Sequence, residues 1–129
     1  MAKQKSLTTL KNKADKLFRD YIKLRDHKCQ KCEKSNCRLD TAHIISRGVH
    51  KVRYDPDNAL LLCSDCHLNF AHKRPLEFAV FIYNYLGKEK YYSLIERSHQ
   101  VIMPKKRQFY IECIDTLLGE IDLIKHLEE

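Results

Sequence analysis

No apolar run in this chain approaches the roughly 18 residues of a membrane-spanning helix, so no span is expected. The opening residues, MAKQKSLTTLKNK, have no apolar core of the secretory-leader kind, and a cytoplasmic location is the expectation. No basic helix with a bulky apolar face stands out, which removes the usual membrane-surface anchor. There is no internal repeat, no low-complexity run and no linker that would divide the chain. At 129 residues the sequence reads as one domain, 1–129.

What is present is positive charge. Lysine and arginine number 24 against 17 acids, a net +7 that suits a polyanionic partner. Hydrophobic content of 43% with 32% charged residues is that of a globular, helix-rich protein. A chain this short buries a modest core, so a metal staple would contribute to folding outright.

The six cysteines supply such a staple. Cys29/Cys32 and Cys63/Cys66 form two Cys-x-x-Cys pairs, the spacing of a four-thiolate tetrahedral zinc site. A redox reading of these pairs would want a βαβ context, which is missing. Cys37 is a less suitable ligand than Cys32, because a Cys-x-x-Cys turn brings two sulfurs to one ion more readily. Cys113 falls on a helical stripe and is expected in the core.

Around the staple the chain reads as follows. Residues 1–5 are polar and expected to fray. From Ser6, a plausible N-cap, the apolar spacing predicts a helix over 6–27, with Lys11, Lys13, Lys16, Arg19 and Lys23 mostly on its other side. That basic side reads first as a solvated face and second as a DNA-contacting one. A core over 28–74 follows: a knuckle, a strand within Arg38–Ile45, an irregular loop from Val49 to Asp57, a strand over Ala59–Leu62, and a helix over Asp65–Lys73 opened by the second knuckle. The segment 75–129 reads as a helical scaffold packed on the N-terminal helix. Pro75 opens one helix and Gly87 stops it. Lys88–Arg97 makes a second. A third runs from Pro104 to about His126, with Phe109, Ile111, Cys113, Ile114, Leu117, Leu118, Ile121 and Ile124 as its buried stripe. The expected fold class is α+β, mostly helical.

The loop closed by the four cysteines presents His43, Asn58 and, after the last cysteine, His67. Alone, each histidine reads as structural. Together they suit phosphodiester hydrolysis, which needs a base to deprotonate water and a cation to neutralise charge on phosphate and leaving oxygen. An imidazole titrating near neutrality suits the first task. A carboxylate with an imidazole on a facing helix suits the second.

With these residues in view, the stretch Ala42-His43-Ile44-Ile45-Ser46-Arg47, Arg53-Tyr54-Asp55-Pro56-Asp57-Asn58 and Leu62-Cys63-x-x-Cys66 resembles the HNH, or ββα-metal, endonucleases. Within them it looks most like the phage recombination nucleases of the NinG (Rap) type, over about a third of the chain. The resemblance implies a zinc-stapled ββα-metal core with flanking helices. It implies His43 as general base, Asn58 holding the loop and orienting His43, and His67 ligating a catalytic Mg²⁺ or Mn²⁺. It implies hydrolysis of duplex or branched DNA to 5′-phosphate and 3′-hydroxyl ends, in recombination or DNA processing within a bacterial host cytoplasm. Two departures stand out. Many such sites carry a ligand immediately before the base, where this chain has Ala42; Asp40 is the nearest acid. In an ideal strand Asp40 and His43 face opposite ways, so Asp40 serves only if the strand bends or bulges; the resemblance to the NinG type, which carries an Asp at this offset, implies Asp40 with His67 as ligands of the catalytic metal. NinG-like sequences often have Asn where His67 stands.

His72, five residues beyond His67, is off the best α-helical face for sharing an ion and is expected to meet phosphate. Arg47, Lys51, Arg53, Lys73 and Arg74 are the other expected phosphate contacts, giving a sequence-independent, salt-sensitive affinity. Singly, each reads as a surface residue. Three other readings stay open: a zinc-stapled nucleic-acid-binding module without catalysis, a sequence-specific homing or restriction-type nuclease, and an RNA-directed nuclease.

Overall fold

The first helix begins where Ser6 caps it. Ser6 is extended (φ −65°, ψ 159°) and its hydroxyl accepts from the Thr9 N–H at 3.1 Å. Helix α1 runs Leu7–Asp26 and ends at His27, whose φ of 65° breaks the helix while its N–H still reaches Lys23 O. Lys23 and Arg25 in the last turn complement the helix dipole. This is the structure as a computed structural model, and it describes residues 4–100 and 103–128. The first three residues of the polar start therefore lie outside the described residues.

Strands β1 (Leu39–His43) and β2 (Ala59–Cys63) form a two-stranded antiparallel sheet, with Asp40 opposite Leu62 and His43 opposite Ala59. The loop between them, expected to be irregular, holds two short 3₁₀ turns, His50–Val52 and Pro56–Asn58. The segment after the second knuckle, Cys66–His72, is wound as a π-helix. Helix α2 (Pro75–Leu86) starts on its proline and stops at Gly87, where φ of 85° favours a residue without Cβ. Helices α3 (Lys88–Ser98) and α4 (Lys106–Leu127) complete a mostly helical α+β fold. Among the described residues no helix is long and apolar enough to cross a membrane.

Side chains alternate across β2, and this builds two cores. Ala59 and Leu61 join Leu10, Ala14, Phe18 and Ile22 of α1 and Tyr110, Ile114, Leu117 and Ile121 of α4. Leu60 and Leu62 join Ala42, Ile82 of α2 and the cysteines Cys29, Cys63 and Cys66. Each fully buried leucine contributes about 1.5–3 kcal/mol by leaving water. Two expectations change here. α4 packs along α1, whereas α2 packs on the other face of the sheet and α3 packs against α2 and the two 3₁₀ turns. The buried stripe of α4 is rotated from the expected one, taking in Tyr110 and leaving Ile111 and Leu118 exposed at 43% and 40%.

The two edges of the sheet differ, and this positions the site. The outer edge of β2 is covered by the end of α1. Arg25 donates to Ala59 O (2.8 Å) and Pro56 O (2.7 Å), Asp26 accepts from Leu61 N (2.9 Å), and Gln30 N donates to Leu61 O (2.8 Å). The outer edge of β1 is instead the floor of a groove.

Candidate functional site

The two knuckles meet. The sulfurs of Cys29, Cys32, Cys63 and Cys66 lie within 4.8 Å of one another and can hold a metal ion. The Cys32 and Cys63 sulfurs are 3.6 Å apart, close to the edge of about 3.8 Å of a tetrahedron with 2.3 Å metal–sulfur bonds. In each knuckle a backbone N–H points at the first sulfur, Cys32 N to Cys29 Sγ and Cys66 N to Cys63 Sγ, both at 3.4 Å. Burial would push the Cys29 thiol up, but the N–H groups of Cys32, Cys63 and Lys31 outweigh it and bring it to about 6. Burial and the neighbouring sulfurs push Cys66 well above the ordinary thiol range. Four sulfurs this close resist sharing negative charge unless a cation sits among them, so the donor set fits a metal. Cys37 is exposed and outside the cluster. Lys31 of the first knuckle stands over the Phe70 ring at 4.5 Å, tying knuckle to π-helix.

Asn58 holds the loop between the strands. Its side chain is fully buried, accepts from Ile45 N at 2.7 Å, and donates to Ile45 O and Val52 O, each at 3.0 Å. The preceding turn is pinned from α3. Arg97 donates to Asp55 (2.7 Å) and Asp57 (3.2 Å), and Asp55 caps the turn through Asp57 N.

His43 stands at the end of β1 with its ring 5.5 Å from that of Phe18 in α1. Its Nε2 lies 3.0 Å from Arg53 O. A carbonyl only accepts, so Nε2 carries the hydrogen and the neutral ring keeps its Nδ1 lone pair free of a proton. Burial holds the His43 pKa below the ordinary imidazole value, with the nearby Arg47 and Arg53 charges adding to it against the bond to Arg53 O. The ring is thus an unprotonated base at neutral pH.

The carbonyl that orients His43 belongs to a residue that is itself clamped. Arg53 is 7% exposed, and its guanidinium donates twice to the Asp15 carboxylate at 2.9 Å and reaches Arg47 O at 3.0 Å. Tyr54 donates to the same carboxylate at 2.7 Å. Burial alone would raise the Asp15 pKa, but these donors bring it below the ordinary carboxylate value. Arg53 is therefore not a phosphate contact: its donors are engaged inside the protein, across 38 residues of sequence. Lys51 lies apart from the groove along β1 and borders a smaller cleft beside α4.

Asp40 lies beside His67, Oδ2 to Nδ1 at 3.3 Å, and its other oxygen accepts from Arg38 at 3.0 Å. The strand is regularly paired through Asp40 and His43, without a bulge. Both residues nonetheless border one groove of 1350 Å³, together with His67, His72 and Arg47. The groove follows the free edge of β1, and side chains from both faces of the strand flank that edge. His72 is also placed differently from expectation. In an α-helix residues five apart diverge; with π winding, bonded i to i+5, they align. The His67 and His72 rings lie 4.7 Å apart. Lys73 and Arg74 occupy the exposed turn before α2, where Arg74 pairs with Glu77.

Sequence reasoning passed over Asp15, Phe18 and Arg97 as site residues. Asp15 carries one signal, an acid on an otherwise basic helix face; nothing local marks the other two. Comparison with protein-family models, with curated proteins and with solved structures finds no match to this chain.

Proposed function

We propose that this chain is a divalent-metal-dependent DNA endonuclease working in the HNH manner, on a zinc-stapled ββα core formed by β1, β2 and the π-helical segment. One observation carries the reading. A histidine held as a neutral base, His43, shares a groove with a carboxylate–imidazole pair, Asp40 and His67, beside a separate four-sulfur cluster.

The two metal roles are distinct. Four thiolates leave Zn²⁺ no open position, so that site is structural. Asp40 and His67 offer one oxygen and one nitrogen, with His72 alongside. An open set of this kind holds Mg²⁺ or Mn²⁺ when water and substrate oxygens complete the shell. The ion supplies charge neutralisation at the phosphate and the leaving oxygen. The protein's own residues do the rest. His43 Nδ1 takes a proton from the attacking water. Arg53 O keeps the ring in that tautomer. Asn58 and the Asp15–Arg53 clamp keep the loop that carries Arg53 from moving. Arg38 donates to Asp40 at the rim of the groove. Arg47, with His72, Lys73 and Arg74 near the groove, draws in the phosphate backbone.

A plasmid-nicking assay tests this directly. Purified protein with Mg²⁺ or Mn²⁺ nicks or linearises supercoiled plasmid, mild EDTA stops it with the fold intact, and added metal restores it. Absence of metal-dependent nicking in folded, zinc-loaded protein overturns the enzymatic reading and leaves a binding module.

A further inference from the structure

The groove has a second wall that the chemistry above does not use. Lys11, Asp15, Arg19 and Lys23 recur every four residues along α1, and all four border the groove opposite the β1 edge. Twelve residues of α-helix span about 18 Å, the length of roughly five base pairs at 3.4 Å each.

The charge of this wall is available to a ligand. Arg19 and Lys23 are exposed. Among the described residues no ion pair engages Lys11, Arg19 or Lys23. Of the neighbouring acids, Asp15 is bonded to Arg53 and Tyr54, with Lys11 acting on it only through its field, and Asp20 pairs with Lys16 at 2.8 Å. This basic face borders the same groove as His43 and Asp40. The aromatic residues of α1 are buried, Phe18 at 2% exposure and Tyr21 at 8%, so the wall offers no ring on which an unpaired base could stack. It reads phosphates, which favours a stacked duplex.

We infer that α1 is a docking wall for the phosphodiester backbone of duplex DNA, contacted by Lys11, Arg19 and Lys23 while the β1 edge meets the phosphate to be cleaved. The identity of the polyanion rests on the nuclease reading; the location of the wall rests on the groove and its charges.

The test is the salt dependence of binding to a labelled duplex, measured by fluorescence anisotropy in a His43→Ala background so that no substrate is consumed. The wall variant combines Lys11→Gln, Arg19→Gln and Lys23→Gln. The control combines Lys88→Gln, Lys90→Gln and Lys125→Gln, the same loss of charge at exposed positions outside the groove. Circular dichroism verifies that both fold. The slope of log K against log salt should become shallower by about 2.7 in the wall variant, about 0.9 for each of three lost phosphate contacts, and by less than about 1 in the control. Equal changes in the two variants, or an unchanged slope in the wall variant, overturn the inference. Plasmid nicking by the wild-type protein is measured alongside. Nicking with an unchanged wall slope leaves the nuclease standing and removes the wall. A shallower wall slope without nicking leaves a DNA-binding groove and removes the nuclease. No binding of the duplex by the parent protein overturns both.

Discussion

Replacing Asn58 tests how the loop that orients His43 is held. Its side chain closes three hydrogen bonds, one accepted from Ile45 N and two donated to Ile45 O and Val52 O. Asn58→Ala deletes all three. Val52 is fully buried, but its carbonyl keeps the Asp55 N–H at 3.1 Å, so loss of the Asn58 donation costs about 0.5–1.5 kcal/mol. The two Ile45 groups are partly reachable by water, and each costs nearer the 0.5–1.5 kcal/mol of an ordinary bond. The sum, about 1.5–4.5 kcal/mol, is a large share of the roughly 5–15 kcal/mol that holds a domain folded. Asn58→Asp is more discriminating, since it keeps the shape and the bond from Ile45 N but replaces two donations with a carboxylate facing two carbonyls. Burial and those carbonyls raise the folded-state pKa of the new carboxyl above its unfolded value of about 3.9. Between the two values the folded state holds the extra proton, so stability falls as pH rises, by at most about 1.36 kcal/mol per pH unit. Relative to wild type, Asn58→Asp should therefore be less destabilised at pH 5 than at pH 7, by up to about 2.7 kcal/mol, whereas Asn58→Ala should show no such difference. Urea denaturation followed by circular dichroism at the two pH values reads both. A deficit in Asn58→Asp that is constant with pH, or larger in acid, would refute the argument that the two donations hold the loop.

Other expectations follow from the same geometry. Cys29→Ser removes a fully buried ligand, so the purified variant should lose its bound zinc and its cooperative unfolding transition; retention of both would show that the cluster is not a metal staple. His43→Ala should lower cleavage by about 10²–10⁴-fold while DNA affinity holds, as removal of a general base does. Because burial lowers the His43 pKa, the acid limb of the wild-type rate profile should have its midpoint below 6.5, and a midpoint above that value would contradict the buried, desolvated setting. Asp40→Ala and His67→Ala should each move the Mn²⁺ titration of activity to higher concentration; a wild-type titration for Asp40→Ala would transfer the ligand role to another group, with His72 the nearest to His67. Asp15→Asn, leaving the Arg53 guanidinium buried against a neutral partner, should lower kcat more than it raises KM, as loss of an orienting contact does; an effect on KM alone would assign the clamp to substrate binding.

Much of this protein is readable along the chain because its signals are local. The Ser6 cap, the proline at the start of α2 and the glycine after it act within a turn, and these boundaries fall within a residue or two of those expected. The two Cys-x-x-Cys pairs carry their own geometry, since each knuckle aims its own N–H at its own sulfur. Asn58 lies in turn chemistry between the two strands, and its side chain bonds Ile45 and Val52 across the loop. Tertiary structure decided what depends on partners far apart in sequence. Whether Arg53 meets substrate or Asp15 turned on a helix 38 residues away, and a charged residue reads the same in either state. Which face of α4 is buried depended on where α1 lay, so Tyr110 displaced Ile111 from the stripe. The pairing of His67 with His72 required π winding, and side-chain periodicity does not announce a change from one helix type to another. That Asp40 and His43 border one groove followed from a sheet of two strands, one edge sealed by α1 and the other open, because only a free edge lets residues from both faces of a strand reach the same space.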